Sequence, residues 1–262
     1  MIRPTRTTRP HPLAALVERV LAATARPALL IGLPCLLMTG ALGWLVALRR
    51  LAPLDRALVE AAQTAGNPAF DYLGVALSLL GAFEVTSLVM LGWSAALLVR
   101  RRPWAALALL GMWGVVAVEV GLKRLVAQPG PGEFGLLRTE LVGQIYAALG
   151  FPSATVDHAW AYPSGHVART AFLVGLAAAF AGWRGLVARL GAALLGLMVI
   201  SRVYLGEHWP TDVLGGLLLA VAGLSVAVPL AGLDRRLDAR PRPSVARSPA
   251  ARSERRSGAA GS

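Results

Sequence analysis

Six long apolar runs, interrupted by short basic or polar segments, limit what this chain can fold into. They cover 28–48, about 80–99, 104–122, 167–182, about 186–204 and 211–233. Most approach the ~20 residues a helix needs to cross ~30 Å of hydrocarbon. Backbone polar groups inside a bilayer must be satisfied within the segment, so helices are expected. The composition agrees: 56% of the 262 residues are hydrophobic and only 15% charged, far from the balance of a soluble domain. The expected fold class is all-α, a six-transmembrane-helix bundle. Residues 1–27 form a basic N-terminal tail, 28–233 the membrane core, and 234–262 a disordered basic C-terminal tail.

The arginines suggest an orientation. Arg3, Arg6, Arg9, Arg19 and Arg26 crowd the N-tail, Arg100, Arg101 and Arg102 end the second run, Arg184 and Arg189 flank a turn, and the C-tail is arginine-rich. Cytoplasmic loops carry such an excess, which puts both termini in the cytoplasm of a cell-membrane protein; Arg49 and Arg50 run against the pattern. No small-residue cleavage site stands out before Ala28, so 28–48 reads as a span and not a signal peptide. The net charge of +12 is assigned to topology and membrane-lipid contact. Nucleic-acid binding is not expected, because no basic-aromatic stripe offers a stacking platform. Cys35, the sole cysteine, excludes a disulfide framework and a cysteine metal site; it reads as a small apolar residue in a helix.

Between the last two runs lies Ser201-Arg202-Val203-Tyr204-Leu205-Gly206-Glu207-His208-Trp209-Pro210-Thr211-Asp212. Ionisable groups at a membrane boundary are costly and mark a site. Pro210 suits the first position of a helix. His208 and Asp212, four apart, fall on one helical face, so the carboxylate can orient the imidazole for attack. Arg202 offers a forked cation for phosphate. A second polar segment, Pro163-Ser164-Gly165-His166, precedes the fourth run. Ser164 and Gly165 at a helix N-terminus would favour an anion, and His166 is placed to move a proton. Lys123 ends the third run, with Glu119 four before it as an expected ion-pair partner. Lys123, His166, Arg202 and His208 would then meet on the outer face. Two further helices are expected at the surface: one within 49–71, with Leu54, Leu58, Ala61 and Ala62 as its apolar face, and one in the 124–163 loop, following Phe134, Leu137, Leu141, Ile145 and Leu149.

These motifs resemble the type 2 phosphatidic acid phosphatase superfamily, which includes lipid phosphate phosphatases and vanadium haloperoxidases. The family's third motif, Ser-Arg, five residues, His, three residues, Asp, stands intact as Ser201, Arg202, His208 and Asp212, and the second as Pro163–His166. The resemblance covers about 28–233. The first motif, Lys, six residues, Arg-Pro, departs: seven residues after Lys123 stands Gly130, followed by Pro131. The missing arginine would grip phosphate oxygens; Arg169, Arg124 and Arg138 are candidate substitutes, with Arg169 favoured.

The resemblance implies that His208 attacks phosphorus, Asp212 holds its tautomer, and His166 protonates the leaving oxygen and then activates water. Lys123, Ser164, Gly165 and Arg202 would bind the phosphoryl oxygens, with no metal and no cofactor. The implied substrate is a lipid phosphate or pyrophosphate, of phosphatidic acid, undecaprenyl pyrophosphate or phosphatidylglycerol phosphate type, hydrolysed at the outer face. Three alternatives stay open. One is transfer of the group to an alcohol, one a zinc site built from His166, His208 and Asp212, and one a weakened lipid-binding member, as Gly130 suggests. Oligomeric state is not legible.

Overall fold

The computed structural model of the chain describes residues 28–151 and 160–233, together with positions 14 and 18. The rest of the expected N-tail, the whole expected C-tail 234–262, and residues 152–159 of the long loop lie outside the described residues. Ten α-helices are described within 28–233, and no strand among the described residues. They are α1 (Ala28–Ala47), α2 (Ala52–Thr64), α3 (Pro68–Gly81), α4 (Phe83–Val99), α5 (Pro103–Leu110), α6 (Met112–Val126), α7 (Leu141–Leu149), α8 (Gly165–Ala181), α9 (Leu186–Tyr204) and α10 (Pro210–Leu230).

The all-α membrane architecture is as the apolar runs predict. By length and composition α1, α9, α10 and the run Pro103–Phe134 that holds α5 and α6 can cross a membrane. The second expected span, 80–99, is the latter part of a broken element: α3 and α4 meet at a 49° bend and make a fifth span if taken together. The remaining run, α8, is apolar but only 17 residues long, about 26 Å at 1.5 Å per residue. Large apolar side chains face outward on α1, α4 and α9, among them Leu30, Trp44, Leu88, Val99 and Ile200. In a bilayer this outer surface meets lipid tails, which are as apolar as the side chains.

α8 runs through the middle, touching α3, α4, α6, α9 and α10. Its small residues Ala168, Ala171, Ala178 and Ala179 are buried and let neighbouring backbones come close. Backbone meets backbone at Gly216 of α10, where an added Cβ would lie 2.5 Å from the Ser164 carbonyl oxygen. This contact brings the first turns of α8 and α10 together, and the two histidine-bearing segments with them.

Both expected surface helices exist. In α2 the residues turned inward are Asp55 and Val59, while Leu54 and Leu58 are exposed. The cause is a capping interaction. The Asp55 carboxylate accepts from the Thr211 backbone N–H (3.0 Å) and hydroxyl (2.7 Å), satisfying an N–H that the first turn of α10 leaves without an intrahelical acceptor. Burial raises the Asp55 carboxyl above its ordinary range, and the two Thr211 bonds oppose that rise. Among the described residues of the long loop, a short 3-10 helix covers Pro131–Phe134 and an α-helix Leu141–Leu149, so Leu137 falls outside both; the α-helix buries Val142 and Tyr146. They dock on Val75, Ala82, Tyr204 and Leu205.

Candidate active site

α9 ends at Tyr204 and α10 starts at Pro210, leaving a tight connection that carries His208. The Arg202 carbonyl accepts from the Glu207 N–H (3.1 Å) and the His208 N–H (3.2 Å), so the turn folds back on the end of α9. Trp209 precedes Pro210 as N-cap, and Asp212 at the third helical position accepts from the Trp209 N–H through Oδ2 (2.8 Å). This is the returning half of a capping box. The same Oδ2 lies 3.6 Å from His208 Nδ1, beyond hydrogen-bond length but close enough to stabilise an imidazolium. The Arg202 guanidinium donates to Ser78 Oγ and, at 3.4 Å, to the Gly74 carbonyl, both on α3.

Residues 160–164 tie the second motif to the other two. Lys123 Nζ donates to the Trp160 carbonyl (2.6 Å), Ala161 N–H to the Gln128 carbonyl (2.8 Å), and Ser164 N–H to the Asp212 carbonyl (2.9 Å). Trp209 Nε1–H donates to the Pro129 carbonyl (2.9 Å). Tyr162, whose hydroxyl donates to the Thr39 carbonyl (2.6 Å), anchors the segment on α1, and burial raises its phenol above the ordinary range. Ser164 is the N-cap of α8 and Gly165 its first residue. The Ser164 N–H is therefore taken by the Asp212 carbonyl. Its hydroxyl is buried without a hydrogen-bond partner among the described residues. His166 follows, its ring centroid 6.3 Å from that of His208. Lys123, Ser164, His166, Arg202, His208 and Asp212 are each at most 3% exposed. Charge this deeply buried marks a site more strongly than surface charge does.

The sequence profile of the PAP2 superfamily matches residues 104–235, half of the chain and all three motif segments. The chain belongs to the PAP2 superfamily. No curated protein sequence matches it. In structure it is similar to a transmembrane PAP2-type phosphatidylglycerolphosphate phosphatase from Bacillus subtilis, with a TM-score of 0.59 at 22% sequence identity, covering 79% of this chain and 97% of that one. At that identity the likeness bears on the fold.

The PAP2 arginine missing from the first motif leaves a well-defined place. Gly130 has an extended backbone (φ −71°, ψ 165°), and a Cβ there would sit 3.5 Å from the Glu207 carbonyl oxygen and 3.9 Å from the Ala161 Cβ. These are ordinary contacts, so the position faces the His208 turn and has room for a side chain. Of the candidate substitutes, Arg138 binds Asp71 (2.5 Å) and lies 5.0 Å over the Tyr204 ring, which commits it to bracing the loop. Arg124 is exposed. Arg169 is buried one turn below His166, and there it pairs with Glu119 at 3.1 Å. Glu119 therefore has a partner on α8 that the sequence reading did not foresee, while Lys123 Nζ also donates to the Trp160 carbonyl. An added Cβ on Gly165 would collide with the Glu119 carboxylate and the Arg169 guanidinium, so glycine is required for this ion pair to pack under the α8 turn.

Three contributors escaped the sequence reading: Asp55, Ser78 and Tyr146. Each acts across more than 20 residues or from outside the motifs. Tyr146 alone left a trace, as the i+4 partner of Val142 on one helical face.

Proposed function

We propose that this PAP2 member hydrolyses a lipid phosphate or pyrophosphate through a phosphohistidine on His208. The observation that carries the reading is the buried pairing of His166 with His208, ring centroids 6.3 Å apart, beside the Arg202 cation. In the first step the His208 Nε2 lone pair forms a bond to phosphorus. The P–O bond to the leaving group breaks, its electrons stay on oxygen, and that oxygen takes a proton from His166. Asp212 stabilises the charge that develops on the His208 ring. In the second step water attacks phosphorus, the P–N bond breaks back to Nε2, and His166 takes the water proton. The sum is phosphoester plus water to alcohol plus phosphate.

Lys123, Arg202, the Ser164 hydroxyl and the Gly165 N–H stabilise the phosphoryl oxygens throughout, since phosphoryl transfer depends mainly on positioning and electrostatics. Arg169 is the nearest candidate for the role the first-motif arginine would fill. No metal is needed: Lys123 and Arg202 already supply cationic charge, and they would repel a metal ion. The basic 100–102 and 182–189 turns lie at the bundle end opposite the site, which supports a site facing outward and cytoplasmic termini. A site at one end of a lipid-exposed bundle supports a lipid substrate of phosphatidic acid, undecaprenyl pyrophosphate or phosphatidylglycerol phosphate type.

The test is phosphate release by purified protein in detergent with EDTA present, over a panel of these lipids, with His208→Ala alongside. Release by the wild type alone is expected. Release abolished by EDTA would overturn the metal-free reading. Transfer to added alcohol without free phosphate would make the protein a transferase, and no turnover of any lipid would favour a binding role.

A further inference from the structure

The proton role of His166 raises the question of which ring nitrogen carries the proton. Tyr146, on α7 and outside all three PAP2 motifs, answers it. Its hydroxyl donates to the Ser78 carbonyl (2.8 Å) and lies 2.9 Å from His166 Nε2. A carbonyl only accepts, so the single hydroxyl proton is used on Ser78. The contact with the imidazole must then run the other way, from a protonated Nε2 into a lone pair of the tyrosine oxygen. The two rings lie nearly parallel, 18° apart with centroids at 6.4 Å, and Tyr146 is held by Phe151 (5.5 Å) and by burial against Val75. Ser78 is itself shared: its hydroxyl donates to the Gly74 carbonyl (2.9 Å) and receives the Arg202 guanidinium. One residue of α3 therefore underlies both the acid and the phosphate-binding cation.

We propose that Tyr146 is a positioning residue that fixes the Nε2–H tautomer of His166 and thereby assigns Nδ1 as the nitrogen that gives its proton to the leaving oxygen. The inference rests on His166 acting as the acid in the proposed reaction. In the charged ring both nitrogens hold protons. When the P–O bond breaks, the Nδ1 proton goes to the departing oxygen, and the neutral ring keeps its Nε2–H on Tyr146. In the second half, Nδ1 is bare and is the nitrogen that takes a proton from water. Without the tyrosine hydroxyl the neutral ring could exchange tautomers and would present the wrong nitrogen part of the time.

The experiment uses full-length protein with 15N-labelled histidine in detergent, the His166 signals being identified by their loss in His166→Gln. Long-range 1H–15N correlation reads the tautomer directly. The wild type is expected to show neutral His166 protonated at Nε2 and bare at Nδ1. Tyr146→Phe retains the ring packing; it is expected to give a mixed tautomer and a kcat lowered roughly tenfold with KM nearly unchanged, a fraction of what general acid catalysis contributes. Wild-type His166 protonated at Nδ1 would overturn the inference, as would an unchanged tautomer or an unchanged kcat in Tyr146→Phe. If that variant does not fold, the wild-type spectrum decides. If no lipid phosphate is turned over, the spectrum still decides whether Tyr146 sets the tautomer, and the failure belongs to the proposed reaction.

Discussion

The two site histidines sit 6.3 Å apart and are held by different means. His208 is fixed by its own sequence neighbours: its N–H bonds the Arg202 carbonyl six residues back, and Asp212 stands four residues ahead. His166 is fixed from afar, through Tyr146 on α7 and, beyond it, Ser78 on α3. The support of the proposed nucleophile is thus a contiguous turn, whereas that of the proposed acid exists only once three helices have packed. A nucleophile held locally keeps its geometry as long as the α9–α10 turn does. An acid held by tertiary contacts depends on how α7 docks, which ties the chemistry to the long loop between α6 and α8.

That contrast can be broken most severely at the turn. His208→Ala is expected to lower phosphate release by ~10⁴ or more, because it removes the atom that bonds phosphorus. Asp212→Asn is expected to cost ~10³ in kcat with little change in the helical circular dichroism, as loss of an orienting carboxylate does elsewhere. A loss confined to Asp212→Ala, with Asp212→Asn close to wild type, would instead point to the capping bond with Trp209, which asparagine can still accept.

Smaller effects sharpen the comparison. If Arg169 binds the phosphoryl group, Arg169→Ala combined with Glu119→Gln, which avoids leaving a buried carboxylate unpaired, should lower kcat/KM by ~10–100-fold. Unchanged hydrolysis would remove Arg169 from the site. Gly130→Arg should raise kcat/KM by roughly tenfold, about 1.4 kcal/mol, because the extended backbone accepts a side chain and the place faces the His208 turn. A loss of activity there would mean that the Glu207 turn cannot admit the guanidinium. Asp55→Ala should lower stability by about 1–3 kcal/mol, since two Thr211 donors lose a buried acceptor, read as a lower melting temperature in detergent.

Much of this architecture is legible in the sequence, for identifiable reasons. Apolar runs near 20 residues admit few solutions in lipid, so the helices were foreseeable. The i,i+4 spacing of His208 and Asp212, with Pro210 between, is local geometry, and local geometry can be read from sequence. What was not legible came from partners on other helices. Leu54 and Leu58 mark the apolar, outward face of α2, but nothing in that pattern announces that Asp55 on the other side caps α10. Glu119 is paired with Arg169, 50 residues on, a contact that only the fold creates. The bend between α3 and α4 places Ser78 beneath Arg202, and nothing in residues 68–99 announces it. Ser78 and Tyr146 are ordinary residues whose role comes wholly from position.

The central claim, a covalent phosphohistidine at His208, is tested most directly by rapid quenching with a 32P-labelled lipid phosphate and mapping of the labelled peptide. The account predicts an acid-labile, base-stable label on His208 that forms before free phosphate is released and is absent in His208→Ala. A label on another residue, or steady phosphate release by His208→Ala, would contradict it.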